Sequence, residues 1–399
     1  MSDKTNKYQK GNTMTNHNTL FYNIMKFIRD IHSSFHDLRI LQTFAWAIVG
    51  VIESKKPHFS HWLPFRVGQA KAASKERQFS RWLHNEKIRP MLIYLQLVKC
   101  MLTDWEGQTL YLALDTSQLW KRFVIVRLAL VYGGRAIPLG WVVCASGSAT
   151  VGVACYQRML AQVAAQIPPS CKVILLADRG FGHIDLMRHC THLGWHFRIR
   201  LKSDTWIFLP TGQRKQVKTL MPPLGKGSCY AYVWLTQQKY GPLHLAIAHV
   251  ITPNGAEKWA IISDEPVGRH TFDEYGLRFD IEENFLDDKS AGFNLEDSKL
   301  EDSMAISRLC FILAVATMYL VSTGLAVDTS GLRPVVDTHW RRGLSYLQIG
   351  WRWCKHAVAQ RKWLHYYLWL PPLPDPDPVI ASWKQFYRPR FELRSLEML

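Results

Sequence analysis

Two aspartates occupy apolar, strand-like segments in which a carboxylate is costly unless it is compensated. Asp115 lies inside the run Leu112-Ala-Leu-Asp-Thr116, and Asp178 directly follows the run Val173-Ile-Leu-Leu-Ala177. Burying an ionised carboxylate is unfavourable without a cation or hydrogen bonds. Ligands of open α/β sheets usually collect at the carboxyl ends of the strands. If the two strands are parallel neighbours, the two carboxylates can share a divalent cation, although each aspartate taken singly is more typical of a turn or a cap.

A third carboxylate belongs to a group of four polar residues with helical spacing. Tyr275, Arg278, Glu282 and Lys289 are offset by 0, 3, 7 and 14 residues. At about 100° per residue, a helix would carry all four within roughly one sixth of its circumference. One helix face would then present a phenol, a guanidinium, a carboxylate and an ammonium. The alternative is a salt-bridge ladder on a solvated face, since Arg278 and Glu282 form an i,i+4 pair.

This set of residues resembles the motifs of the DDE transposases of bacterial insertion sequences. The resemblance extends from about residue 109 to residue 327. It includes the Y-R-E-K signature of the IS-four family, whose spacing is matched without a gap. The matching positions are Asp115, Asp178 of Asp-Arg-Gly-Phe, and Tyr275-x2-Arg278-x3-Glu282-x6-Lys289.

The resemblance implies an RNase H-like core that performs metal-dependent phosphoryl transfer on DNA. Asp115 would lie on the first strand, Asp178 at the end of the fourth strand beside it, and Glu282 on a helix after an insertion. These three catalytic carboxylates would bind two Mg²⁺ ions, or Mn²⁺ in their place, because hard oxygen ligands suit these ions better than Zn²⁺. One ion would activate the attacking water or 3′-OH, and the other would stabilise the leaving oxygen.

The same resemblance implies DNA contacts around the metal site. The residues concerned are Tyr275, Arg278 and Lys289 for backbone phosphates, Trp259 for a flipped base, and Arg200 and Lys202 for further DNA contacts. Stacking of a base on an aromatic ring contributes about 1–3 kcal/mol. An inward-facing strand tryptophan is equally consistent with the position of Trp259.

The elements that must position these residues are predicted from apolar periodicity. The pattern predicts strands at 109–119, 123–132 and 136–143, a helix at 154–166, a strand at 173–177, a helix at 183–193 and a strand at 196–201. Gly133-Gly134, between the second and third strands, is a strong hairpin signal. This order belongs to a mixed sheet whose later strands run parallel. The order thus predicts an α/β fold with a mixed sheet, and the resemblance implies that this sheet is RNase H-like and five-stranded.

Three regions are predicted along the chain. Residues 1–105 form a helical DNA-binding region with sixteen Lys/Arg against seven Asp/Glu. The segment from Lys71 to Asn85 combines several basic residues with Trp82, a composition that suits phosphate contacts. The alternative is a solvated basic helix face with Trp82 in the core. Residues 106–327 form the catalytic core, with a β-rich insertion at 202–263. Residues 328–399 form a basic, Trp-rich, helical C-terminal extension.

Composition and charge indicate the partners and the compartment. The chain has 399 residues and a formal net charge of +17, which favours nucleic acid or an anionic membrane surface. Double-stranded DNA, as transposon ends and as target, is the expected partner, bound by a homodimer in a synaptic complex. The eight cysteines are scattered without zinc spacing, which is typical of a reduced, cytoplasmic protein. Motifs of P-loop, dinucleotide-binding, α/β-hydrolase and zinc-protease sites are absent from the sequence.

One uncharged stretch, residues 309–327, is nearly long enough to span a membrane. Its polar residues and its closely flanking charges favour a buried core helix. Three function classes follow from the sequence. The first is an active DNA transposase, the second is a transposase-derived DNA-binding protein without activity, and the third is a membrane-surface protein.

Overall fold

The computed structural model of the chain describes residues 16–147, 151–252, 255–278, 293, 295–372 and 392–393. Its largest element is a single mixed sheet, and helices pack against this sheet. The architecture is therefore mixed α/β, as the order of the apolar segments predicts.

The sheet joins every strand of the described residues in the order β3-β2-β1-β4-β5-β10-β9-β8-β6-β7, and β11 pairs with β8 beside this path. The strands are β1 Thr109–Leu119, β2 Phe123–Tyr132, β3 Arg135–Ala145, β4 Lys172–Ala177, β5 His196–Arg200, β6 Trp206–Phe208, β7 Arg214–Gln216, β8 Lys226–Leu235, β9 Tyr240–Thr252, β10 Gly255–Ser263 and β11 Glu392–Leu393.

The first five strands form at or close to their predicted bounds. β1 pairs antiparallel with β2 and parallel with β4, and β5 pairs parallel with β4. Gly133 and Gly134 join β2 to β3 with φ angles of 57° and 75°. Both angles lie in the left-handed region that a two-residue hairpin turn requires and that glycine adopts without a steric penalty.

The β-rich insertion extends this sheet, so the predicted five-stranded sheet is part of a larger one. β10 returns antiparallel to β5, with Ile261 opposite Arg200, and β9 and β8 follow outward. The physical reason is that β5 would otherwise present an unpaired edge of N–H and C=O groups. The sequence pattern predicts a β-rich insertion but not its attachment to β5.

The helices account for most of the remaining described chain. They are α1 Asn16–Phe27, α2 Leu38–Ser54, α3 Phe59–Trp62, α4 Ala72–Leu83, α5 Pro90–Met101, α6 Gln157–Ala164, α7 Ile184–His192, α8 Val217–Leu220, α9 Arg269–Gly276, α10 Ser303–Thr329 and α11 Tyr346–Gln360. On α4, Trp82 is buried, stacks on Phe44 at 5.2 Å and donates a hydrogen bond to the Ile40 carbonyl. Trp82 is thus a core residue, while Arg77 and Arg81 of the same helix are exposed.

Helix α10 is the apolar centre of the helical part. Among the described residues it is the one helix long and apolar enough to cross a membrane, and its most apolar window is 100% buried inside the protein. It packs against α2, α4, α5, α11 and β3. At Gly324 a Cβ atom would overlap the carbonyl oxygen of Tyr346, and at Gly350 it would overlap the carbonyl oxygen of Leu320. These two glycines therefore allow α10 and α11 to approach to backbone contact.

The segment after α11 lies along the core and is held through its backbone. The Tyr319 hydroxyl donates to the carbonyl of His365, and the Trp105 indole donates to the carbonyl of Leu370. Burial lowers the pKa of His365 to about 4, so this histidine is neutral where it packs against α10. The first part of the C-terminal extension is thus integrated into the core.

Candidate active site

Asp115 and Asp178 lie side by side at one edge of the sheet. β1 and β4 are parallel, and their last paired residues are Leu114 and Ala177. Asp115 and Asp178 each come one residue later, at corresponding positions on the two strands. The backbones of the two aspartates are therefore about one strand spacing apart, roughly 4.8 Å. The structure brings together the two aspartates that the sequence selects.

Each aspartate uses one oxygen to orient its own backbone. Oδ1 of Asp115 accepts from the Thr116 amide at 2.7 Å, and Oδ1 of Asp178 accepts from the Gly180 amide at 2.8 Å. A Cβ atom at position 180 would lie 3.0 Å from this Asp178 oxygen, so the glycine permits the close turn. In the described part of the chain, Oδ2 of Asp178 makes no hydrogen bond.

Arg278 forms an ion pair with Asp115. Its Nη1 lies 3.1 Å from Oδ2 of Asp115, and the exposed fractions of the two side chains are 6% and 15%. Arg278 lies just beyond α9, which ends at Gly276. The chain continues from α9 in a turn, in which the Arg278 amide donates to the Tyr275 carbonyl at 3.0 Å, and the Arg278 guanidinium lies 5.8 Å from the Tyr275 ring centroid. The helix face that the spacing predicts beyond Arg278 lies outside the described residues and stays a prediction.

Tyr275 and Trp259 pack together beneath the ion pair. Their ring centroids are 5.4 Å apart in an edge-on arrangement, and the exposed fraction of Trp259 is 3%. Burial raises the pKa of Tyr275, and the charges of Arg278 and Arg200 oppose this shift. The Trp259 indole donates to Glu257 at 3.0 Å. In this structure both rings belong to the core, as the inward-facing alternative for Trp259 predicts.

A buried arginine that no sequence motif singled out fixes α9 to the sheet. Arg198 is 2% exposed; its Nε donates to Glu274 at 2.7 Å and its Nη2 to Glu265 at 2.8 Å. Tyr111 of β1 donates to the other oxygen of Glu274 at 3.2 Å. Because Glu274 directly precedes Tyr275, this network sets the position of the whole segment. The alternation of side chains along a strand could have pointed to Arg198, because it lies on the same face of β5 as Arg200, which the resemblance selected.

The other predicted DNA-contacting residues lie around this centre or outside the described residues. Arg200 donates to the Lys258 carbonyl at 2.9 Å and lies 3.8 Å from Glu257. Lys202 is exposed just after β5. Glu282 and Lys289 lie outside the described residues, so the roles that the sequence motif assigns to them stay predictions.

The residues present fit a hard divalent cation. Asp115 and Asp178 are adjacent carboxylates with their orientation set by backbone amides, and oxygen ligation suits Mg²⁺ and Mn²⁺. Among the described residues, no group of three or more His, Cys, Asp and Glu side chains is placed to hold a metal ion. A full ligand set therefore needs a residue beyond these two aspartates.

One family model and one solved structure are similar to parts of this chain. The family model described as the transposase DDE domain matches residues 121–319. A cryo-EM structure of the piggyBac transposase synaptic complex with hairpin DNA is similar at a TM-score of 0.40 and 12% identity, over 91% of this chain and 87% of that chain. No curated protein matches the chain. The matched region contains Asp178 and Glu282 and begins six residues after Asp115, and this match to the transposase DDE domain supports a transposase function for the chain.

Proposed function

We propose that this protein is a DNA transposase that binds the terminal inverted repeats of an insertion sequence and carries out Mg²⁺-dependent strand cleavage and strand transfer. The observation that carries the proposal is the adjacency of Asp115 and Asp178 at the ends of two parallel strands. The match of residues 121–319 to the transposase DDE domain supports it independently. Arg278 compensates Asp115 in this structure, whereas Oδ2 of Asp178 makes no hydrogen bond among the described residues, so the pair can accept a further cation.

The finer assignments follow the resemblance to the Y-R-E-K signature group. The strand order β3-β2-β1-β4-β5, with β2 antiparallel to its neighbours, supports an RNase H-like core. Asp115, Asp178 and Glu282 would together hold the metal ions, which supply a polarised nucleophile and stabilise the leaving oxygen. The residues that would contact DNA are Tyr275, Arg278, Lys289, Trp259, Arg200 and Lys202.

The partner and the compartment are part of the same proposal. The net charge of +17 suits a polyanion such as double-stranded DNA. A homodimer would hold two transposon ends in one synaptic complex. The protein would act in the cytoplasm, in association with the nucleoid.

The test is a cleavage assay with purified full-length protein and the DNA that flanks its gene, with Mg²⁺ added or withheld. Cuts at the ends of inverted repeats that require metal are the expected result. Glu282→Gln, Asp115→Asn and Asp178→Asn should each abolish these cuts and leave binding of the ends largely intact. Full cleavage by any one of these variants would remove that residue from the metal-binding set.

The competing function is a transposase-derived protein that binds DNA without cutting it. Specific binding of the repeats, with no cleavage under either Mg²⁺ or Mn²⁺, would establish that alternative. Absence of both binding and cleavage would overturn the proposal altogether.

A further inference from the structure

A strongly basic surface lies at the outer end of the sheet, away from Asp115 and Asp178. Residues 202–258 contain seven Lys/Arg and two Asp/Glu. Arg214, Lys215, Lys218 and Lys239 are all exposed, and none of them forms an ion pair in the part of the chain that the structure describes. Among the described residues, no acidic side chain therefore neutralises these four cations.

Two of these cations are held on aromatic rings. Trp206 and Phe208 lie on one face of β6, while Ile207 between them is buried on the other face. The Arg214 guanidinium carbon lies 3.7 Å from the Trp206 ring centroid and 5.9 Å from that of Phe208. The Lys239 ammonium lies 5.7 Å from the Phe208 centroid. We call these four residues, Trp206, Phe208, Arg214 and Lys239, the cation platform.

The platform orients charge without cancelling it. A carboxylate partner would neutralise Arg214, whereas a ring face attracts the guanidinium through its quadrupole and leaves the full positive charge available. The held side chains also lose less conformational freedom when a ligand binds, which favours binding. This arrangement is suited to an anion that approaches from solvent.

The chemistry of the platform favours a DNA backbone over exposed bases. The cations already lie over the rings of Trp206 and Phe208, so these rings are not open faces for base stacking. β7 is the last strand in the sheet order, so no further strand of this order covers its outer edge. A duplex presents closely spaced phosphates that unneutralised Arg and Lys side chains bind by releasing counterions.

The platform also lies at a suitable distance from the candidate active site. Six strand spacings separate β4, which ends at Asp178, from β7, which carries Arg214. At about 4.8 Å per spacing, this is roughly 29 Å across the strands. One turn of duplex DNA is about 34 Å long. A duplex with its end at the two aspartates is thus long enough, after about one turn, to reach the platform.

We infer that the cation platform binds the phosphate backbone of the transposon-end duplex about one helical turn from the cleaved end. The inference rests on the proposed function, since it assumes that the duplex end lies at Asp115 and Asp178. It adds a second binding surface, in the insertion, to the residues around the active site. Arg214 and Lys239 are the two side chains that contact phosphate.

The test measures how binding of a repeat-end duplex by the full-length protein depends on salt. Arg214→Gln/Lys239→Gln should reduce the slope of log K against log salt by about 1.8, because each phosphate contact contributes about 0.9. Lys215→Gln is the matched control, since Lys215 is an exposed cation of the same strand that points to the other face. The salt slope of Lys215→Gln should equal that of the wild type. Arg214→Lys keeps the positive charge and should retain most of the wild-type slope.

The outcomes separate this inference from the proposed function. An unchanged slope in the double variant would overturn the inference, and so would an equal loss in Lys215→Gln, which would indicate only a general effect of net charge. The melting temperature of the double variant is compared with that of the wild type, to recognise a folding defect. Gln213→Ala, an uncharged substitution in the same hairpin, is measured beside it. If the wild-type protein does not bind the duplex at all, the proposed function itself fails.

Discussion

Nη1 of Arg278 lies 3.1 Å from Oδ2 of Asp115, so the carboxylate of β1 has its compensating cation within the protein. An ionised aspartate among apolar strand residues needs such a cation, because its burial is otherwise unfavourable. The resemblance assigned Arg278 to DNA phosphate and Asp115 to metal. In the structure the two residues form an ion pair with one another, and their roles toward metal and DNA stay proposals.

The first prediction concerns this ion pair. Arg278→Gln should lower the free energy of unfolding by about 3 kcal/mol in the absence of metal, because it removes the ion pair of a largely buried carboxylate. Adding Asp115→Asn should recover part of this loss, because the double variant no longer carries the negative charge that Arg278 offsets in the wild type. The measurement is urea denaturation of both single variants and the double variant in a chelator. If the two single effects add to within about 0.5 kcal/mol, the residues are not coupled.

The second prediction concerns the arginine that anchors α9. Arg198→Met should cost about 3 kcal/mol, since Glu265 and Glu274 would both lose a buried partner. Hydrogen bonds from Lys172 and Arg198 lower the pKa of Glu265, against a burial effect that would raise it. Arg200→Ala is the matched control. It removes a 3.8 Å contact to a more exposed glutamate and should cost less than about 1 kcal/mol by chemical denaturation. Equal costs would contradict the anchoring role.

The third prediction is a pH dependence of stability that arises from Glu53. Burial raises its pKa from 4.5 to about 7, and its Oε1 has no hydrogen-bond partner among the described residues. The unfolded chain releases this proton near pH 4.5, whereas the folded protein keeps it until about pH 7. Stability should therefore fall as the pH rises between these values, by on the order of 3 kcal/mol.

Glu53→Gln should remove this fall and be more stable than the wild type at pH 8, but not at pH 4. Denaturant unfolding at the two pH values measures the difference. Glu106→Gln, at an exposed position, should change stability little at either pH. A Glu53→Gln effect that is the same at both pH values would show that the carboxyl does not titrate as proposed.

The fourth prediction concerns the contact between α10 and α11. Gly324→Ala should destabilise the protein by about 3 kcal/mol or more, because the new methyl group would overlap the backbone carbonyl of Tyr346. A backbone atom within a packed helix pair cannot move aside as a flexible side chain can. Gly276→Ala is the control, since a Cβ atom there meets no other atom within 4 Å, and it should be neutral or slightly stabilising. Thermal unfolding of both variants measures the contrast; similar melting temperatures would disprove the close approach.

Local sequence patterns were sufficient to predict the individual strands and helices and to select the two aspartates. Apolar runs of strand length, the Gly133-Gly134 turn and the uncharged segment of α10 all predicted what the structure contains. Asp115 and Asp178 stood out because a carboxylate in an apolar strand has a large solvation cost. These are short-range properties, set by side-chain periodicity and by desolvation, and they can be obtained from one chain without its partners in space.

The contacts between residues that are distant in the sequence could be read from the folded chain alone. Arg278 pairs with Asp115 of β1 from the turn after α9, a contact between distant segments that helical spacing did not predict. Trp259 is buried against Tyr275, and the insertion joins the sheet at β5 instead of standing apart. Arg214 and Lys239 come together across a hairpin and a turn. Such contacts depend on strand pairing and on where the chain turns, which local periodicity does not specify.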